Sequence, residues 1–433
     1  MLTHRSFPRA ILHVDGDCFF ASCEVAKDPS LRGKVVITGK ERGIVSSMSY
    51  EAKALGITRA MRLFEVRKLC PEAVILPSDY ETYSLYSLRM YEIVRRYTEA
   101  VEEYSIDECF ADLTGMRRPN KMSYEAMAIK IKHELDLELG MTFSVGLSVN
   151  KTTAKIGSKW RKPSGLTIIP GRDLHRYLEK VPVAKIWGIG PNTSAYMNKL
   201  GIHNALEFAV RDSAWVREHF SKPFVEIHAE LNGHFVYPLT LGVKHDYASI
   251  SKTRTFTPPS TDRSFVFSQL SKNVENACIK LRRHTLFAKK FAFFLKTQDF
   301  SYYGLEVKLT QSVSTPSEIL SAIRNSFDSV FRRGRQYRAT GIVLMDLTHS
   351  DIRTIDLFGQ SQSIEKIKKI YEAVDAMSSK FGKHSIFLGS SFRAMNDPAH
   401  RGFRGERSER KNRLLPGESE RKRLGIPIIG DVR

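Results

Sequence analysis

The sequence predicts an α+β chain divided into several modules, and three observations carry that reading. The 433 residues exceed one ordinary domain of roughly 100–200 residues. Up to about residue 170, short apolar runs alternate with helically spaced segments. From Ser249 onward a second alternation runs in the order strand, helix, strand, strand, helix, strand.

In the first region Ala10–Val14 reads as a buried strand that ends on Asp15-Gly16-Asp17, so its carboxylates should sit at the strand's exit. A helix is expected from Phe19 to Ala26, strands at 35–37 and 44–45, and a helix over Tyr50–Leu55. Helical spacing covers Thr82–Glu99 and Tyr124–Leu139, while 101–113 alternates like one strand with Asp107 and Glu108 in its middle. Thr142–Ser148 reads as another strand. Near residue 170 the pattern changes to short helices with glycine breaks around Ile186-Trp-Gly-Ile-Gly190.

In the second region strands are expected near 252–256, 291–296, 305–309 and 341–347. Its first helix has Leu270, Val274, Ala277, Cys278 and Leu281 at helical spacing, and its second covers about 316–331. Residues 363–381 are helical by spacing, and the Arg-, Gly- and Glu-rich stretch from Met395 reads as a tail.

Composition narrows the function. Hydrophobic residues are 42% of the chain, enough for real cores. The 67 Lys and Arg against 47 Asp and Glu give a formal charge of +20, a field that attracts a polyanion. Apolar runs fall far short of the ~20 residues of a membrane span. Five cysteines without a Cys-x-x-Cys pair argue against a zinc site or a disulfide framework, and read as thiols in a reducing cytoplasm.

Two acidic clusters far apart in sequence, Asp15/Asp17 and Asp107/Glu108, interrupt apolar strands, where unpaired carboxylates are costly. Magnesium resolves that conflict, because it is a hard cation held by carboxylates and substrate phosphates. Two such ions can activate a hydroxyl and stabilise the leaving oxygens of a phosphoryl transfer. Taken singly, each cluster is equally a surface turn or a partner for the many lysines and arginines.

The stretch His13-Val-Asp-Gly-Asp-Cys-Phe-Phe-Ala-Ser-Cys-Glu24 resembles the opening motif of the Y-family translesion DNA polymerases. Tyr104-Ser-Ile-Asp-Glu-Cys-Phe-Ala-Asp112 resembles their second acidic motif, and Ser144–Lys155 with Lys162-Pro-Ser-Gly165 a third block in the same order. The resemblance spans about residues 8 to 392, toward the bacterial DNA polymerase IV branch. It implies a right-hand architecture: a palm (1–18 and 79–169), fingers (19–78), a thumb (170–242), a little-finger α/β domain (249–349), and a clamp-binding segment with a basic tail (350–433).

It also implies roles. Asp15, Asp107 and Glu108, with the carbonyl of Gly16, would hold two magnesium ions and form the catalytic set, while Asp17 stays outside it. Phe20 matches the aromatic gate against ribose. Tyr50, Lys53 and Lys162 match contacts to the nucleoside triphosphate, although lysine at 53 replaces a more usual arginine and so a bidentate fork with a point charge. Ile44 and Ser46 would roof the nascent base pair.

Trp187–Ser194 resembles the turn of a helix-hairpin-helix, in which Gly188 and Gly190 let amides approach a DNA phosphate. Strand period puts Lys252 and Arg254 on one face, as in the family's little finger. Thr354–Phe358 is similar to a sliding-clamp peptide, with Ile355, Leu357 and Phe358 as its apolar contacts.

The expected protein is a monomeric, cytoplasmic, lesion-bypass DNA polymerase of low fidelity and without proofreading, using primer-template DNA, deoxynucleoside triphosphates and a bacterial sliding clamp. Two rivals are a nucleotide cyclase and a catalytically silent DNA-binding relative. A cyclase has no use for the hairpin or the basic second module, and a silent relative is expected to have lost an acidic ligand.

Overall fold

The structure is a computed structural model that describes residues 6–242, 247–349, 361–381 and 384–396. The chain forms two compact units that divide just after Gly242. Ile355, Leu357 and Phe358 lie outside the described residues.

The first unit opens with β1 (Ile11–Gly16), α1 (Phe19–Lys27), β2 (Val36–Thr38), β3 (Ser47–Met48), α2 (Tyr50–Ala54), α3 (Leu63–Leu69), β4 (Val74–Leu76) and α4 (Tyr80–Arg95). It continues with β5 (Val101–Ser105), β6 (Glu108–Asp112), α5 (Tyr124–Leu139), β7 (Phe143–Ser148), α6 (Lys151–Trp160) and β8 (Leu166–Ile168). Short helices follow: α7 (Leu174–Leu178), α8 (Pro191–Lys199), α9 (Ala205–Ala209), α10 (Ser213–His219) and α11 (Lys222–Leu231).

Its main sheet has the order β5-β6-β1-β7-β8, which puts the Asp15 strand in the centre. Because side chains alternate across a strand, β1 divides its residues between two faces. Leu12 and Val14 join Cys109 and Ala111 in a core completed by Met90 and Ile93 of α4 and Ile131 and Leu135 of α5. Ile11 packs instead with Phe110 and with Ala154 of α6, and His13 on that same face meets Ser158 of α6 at 2.7 Å. The carboxylates share the α6 face.

Two expected strands are corrected. The run 101–113 is a hairpin, not one strand: Ser105 pairs with Glu108, which leaves Ile106-Asp107 as a two-residue turn. Alternation cannot reveal such a reversal, because both arms keep period two. At 44–45 there is only an isolated bridge from Ile44 to Arg62, and the strand lies at Ser47–Met48, paired with Ile37 and Thr38. Val45 is apolar because it is buried in the small core of that subregion, not because it belongs to the sheet.

The second unit contains β9 (Ser249–Ser260), α12 (Arg263–Arg283), β10 (Phe287–Thr297), β11 (Tyr302–Val313), α13 (Pro316–Val330) and β12 (Tyr337–Thr348), in the expected order. The antiparallel sheet runs β11-β10-β12-β9, and its core joins Leu270, Val274 and Leu281 of α12 to Ile323 and Phe327 of α13. Then come α14 (Ser361–Phe381) and α15 (Phe392–Asn396). Asp375 of α14 takes a two-pronged ion pair from Arg282 at 2.6 and 2.7 Å, and Glu275 of α12 accepts the Leu388 amide at 3.0 Å. These contacts fasten the segment beyond the sheet to α12.

Candidate active site

The end of β1 carries the site because three backbone devices converge there. Asp15 and Glu108 are cross-strand partners on β1 and β6, so their side chains stand on the same face. The Gly16 amide donates to the Asp107 carbonyl at 2.8 Å, which ties the hairpin turn to the strand end. A Cβ at Gly16 would lie 2.6 Å from the Phe19 ring, so the close turn into α1 needs glycine there. Like charges facing each other across a sheet are destabilising, so a counter-charge is required.

Lysines supply it. Lys162 Nζ contacts Asp15 Oδ1 and lies 3.4 Å from Asp17 Oδ1, and Lys155 Nζ of α6 reaches Glu108 Oε2 at 2.5 Å. Burial pushes the Asp15 carboxyl up to about 6, Lys162 pulls it down, and the Glu108 carboxylate adds to the rise. His13 is no counter-charge, because burial holds its pKa well below the ordinary value and the surrounding lysines lower it further. Asp107 accepts from Ser105 Oγ at 2.6 Å. Among the described residues no three His, Cys, Asp or Glu side chains are gathered as a ready metal cage.

Even so, the donors fit a hard cation. Asp15, Asp107 and Glu108 offer only oxygen, and a cation beside Asp15 would favour its charged form against burial. Asp17 has another job, consistent with its place outside the expected ligand set. It is buried and accepts from Ser164 N at 2.7 Å, Ser144 Oγ at 2.8 Å, Thr142 Oγ1 at 3.1 Å and Tyr50 OH at 3.4 Å. It pins β1, β7 and the loop before β8 together.

Above the carboxylates opens a cleft of about 650 Å³, within the ordinary size of small-molecule sites. Asp15, Gly16, Asp107 and Lys162 line it together with the apolar Phe19, Phe20 and Ile106 and with Ser46, Lys53, Thr58 and Arg59. The Phe20 ring is fixed by stacking on Tyr83 at 4.6 Å and by an edge contact to Tyr80 at 5.5 Å. Tyr50 and Ile44 are not cleft walls; Tyr50 instead carries the Lys53 ammonium 4.3 Å above its ring. Sequence reading missed Arg59 and the Lys155 pairing. Lys155 lies in the third motif block, but its pairing with Glu108 shows only in space.

Gly188 adopts a left-handed backbone at φ 88°, and Gly190 caps the N-terminus of α8 with open space around it. That is the geometry of an exposed helix start able to meet an anion. Just before them Trp187 turns inward against Tyr104 at 5.6 Å and Tyr237 at 5.8 Å. Lys151 and Glu102 form a buried pair beneath, at 2.6 and 2.8 Å. In the second unit Lys252 and Arg254 do share a face. Their partners on β12 are Ile342 and Thr340, and Thr340 accepts from Asn273 of α12, so that face is the helix-bearing one, at the edge strand.

Comparisons with known proteins identify the family. A model of the impB/mucB/samB family matches residues 14–159, that of its C-terminal domain 247–357, and that of the family's helix-hairpin-helix motif 172–202. A DNA polymerase IV of Lactococcus lactis is 33% identical over 332 residues, covering 74% of this chain and 89% of the relative. A DNA polymerase IV of Desulfatibacillum aliphaticivorans is 29% identical over 394 residues, covering 87% and 95%. A solved Y-family polymerase chimera of Dbh and Dpo4 has a TM-score of 0.67 at 22% identity, covering 79% of this chain and all of the chimera. An insertion ternary complex of Dbh DNA polymerase has a TM-score of 0.52 at 21% identity, covering 79% of this chain and all of that one.

The chain therefore belongs to the Y-family DNA polymerases, which are DNA-directed DNA polymerases of damage tolerance and translesion synthesis. The curated relatives named above are bacterial DNA polymerase IV enzymes.

Proposed function

We propose that this chain extends a primer on a damaged template, joining the primer 3′-hydroxyl to the α-phosphate of a deoxynucleoside triphosphate as the bond to the β-phosphate breaks and pyrophosphate leaves. One observation carries the reading: the carboxylates of β1 and the β5–β6 hairpin meet at one end of a cleft whose walls also carry Lys53, Arg59 and Lys162. The acids suit the reacting end of a nucleotide and the cations its phosphates. Asp15, Asp107, Glu108 and the Gly16 carbonyl would hold two magnesium ions. Those ions, when bound, lower the cost of the attacking and leaving oxygens' charge. Lys162 would exchange Asp15 for a phosphate oxygen, leaving the carboxylate free, and Lys155 would keep Glu108 aligned.

Phe20 would stand against the ribose 2′ position, with its ring held by Tyr83. Phe20→Val is therefore expected to raise the ratio of ribonucleotide to deoxynucleotide insertion about 10- to 100-fold, the scale of one relieved clash in a packed pocket. Single-nucleotide insertion kinetics with each sugar measure that ratio, and an unchanged value would remove Phe20 from this role.

Gly188 and Gly190 would bind a duplex phosphate through amides, and Lys252 and Arg254 would contribute charge without reading sequence. Low fidelity and the lack of a proofreading module follow from family likeness, as do a cytoplasmic, monomeric state and a bacterial sliding clamp as partner. Alanine at both Leu357 and Phe358 should abolish clamp-stimulated synthesis while basal synthesis persists, as read by primer extension with and without loaded clamp; equal stimulation would refute the clamp segment. For the whole proposal the test is extension by wild type, with magnesium, on primed templates that are undamaged or carry a minor-groove guanine adduct. No extension by a folded protein that still binds DNA would favour a silent DNA-binding relative.

A further inference from the structure

The cations of the cleft are not equivalent. Lys162 is engaged with Asp15 and Asp17, and Lys53 rests its ammonium on the Tyr50 ring. Arg59, an exposed residue between α2 and α3, lines the same cleft, and its guanidinium has no partner among the described residues. Its backbone is nevertheless held on both sides. The Ile57 amide donates to Ala52 of α2 at 3.2 Å, and the Ala60 amide donates to Val45 at 2.9 Å, beside the Ser46 wall. Ile57 itself is buried in the core of that subregion. A fixed root thus carries a free guanidinium over the cleft.

Resting on the reading of this cleft as a nucleotide site, we propose that Arg59 is its bidentate phosphate ligand, gripping the triphosphate tail of the incoming nucleotide. A planar guanidinium offers paired N–H donors that match two phosphate oxygens, whereas an ammonium offers a point charge. Lys53 occupies the position expected to face the triphosphate but lacks the fork, and Arg59 restores a fork to the same cleft from six residues further along the chain. Lys53 then contributes field and Arg59 geometry. The cleft should accordingly discriminate a triphosphate from a monophosphate mainly through Arg59.

The test titrates a nonhydrolysable deoxynucleoside triphosphate, and separately the matching monophosphate, into the full chain bound to primer-template DNA. Wild type, Arg59→Ala and Arg59→Lys are compared. Arg59→Ala should weaken triphosphate binding about tenfold or more, the scale of charge-assisted hydrogen bonds, with monophosphate binding unchanged. Arg59→Lys should recover only part of the loss, since it returns charge without the fork. Wild-type affinity in Arg59→Ala would overturn the assignment. So would full recovery in Arg59→Lys, or an equal loss for the monophosphate, which would indicate a displaced loop. Failure of the wild type to bind the triphosphate at all would instead overturn the nucleotide reading of the cleft, and Arg59's role with it.

Discussion

Asp107→Asn and Glu108→Gln are each expected to lower template-dependent extension about a thousandfold or more. Several kcal/mol of charge stabilisation rest on each ligand, and each step of about 1.4 kcal/mol is a tenfold change in rate. The amides are chosen over alanine because of what stands beside each acid. Glu108 is the partner of Lys155, whose side chain is only 6% exposed, so alanine there would strand a buried ammonium. Breaking such a pair costs about 3–5 kcal/mol and would confuse lost folding with lost chemistry. Glutamine keeps an acceptor for Lys155 and removes the charge.

Asp107 is the cleaner probe still. It stands in a turn and accepts from Ser105 Oγ, which asparagine can replace. Single-turnover extension at saturating nucleotide measures the effect, with thermal melting and DNA binding as controls. Activity within tenfold of wild type in Asp107→Asn, on a protein of unchanged melting temperature, would remove Asp107 from the catalytic set and with it the hairpin's part in the mechanism.

Much of this site was legible in the sequence because its acids break apolar runs, a conflict visible without coordinates. Asp15 at a strand exit and Asp107/Glu108 near an apolar segment are such breaks, and the fold brings two of them into register. The second unit was legible in full order because its helices and strands are long and regular. The hairpin at Ile106-Asp107 was not, since it lacks the Asn-Gly or Asp-Gly pair that usually marks a two-residue turn. Its alternation continues through the reversal. The strand at Ser47–Met48 was missed because its two residues are too few to show a period. Lys155 and Arg59 were invisible as site residues for a further reason: a lysine or arginine in a chain of charge +20 carries no signal until its partner, or its want of one, is seen in space.

Gly146→Ala should destabilise the first unit by at least about 3 kcal/mol, the upper range for overpacking a core. A Cβ at Gly146 would lie 2.0 Å from the Ala154 carbonyl oxygen, 2.3 Å from the Ser158 nitrogen and 2.8 Å from the Gly157 carbonyl carbon. All three are backbone atoms of α6, so no rotamer can relieve the clash and the helix must lift from β7. At about 2–4 °C per kcal/mol for a unit of this size, the first-unit transition should fall by about 6–12 °C. Lifting α6 also moves Lys155 away from Glu108 and shifts the chain that leads to Lys162, so the folded fraction should lose activity beyond what its population explains. Gly190→Ala is the matched comparison. The same methyl there meets nothing within 4 Å, and its backbone φ of −85° suits any residue, so stability should stay within about 0.5 kcal/mol. Equal melting temperatures for the two variants would mean that β7 and α6 do not approach through Gly146, and that Lys155 is held to Glu108 by something other than this helix contact.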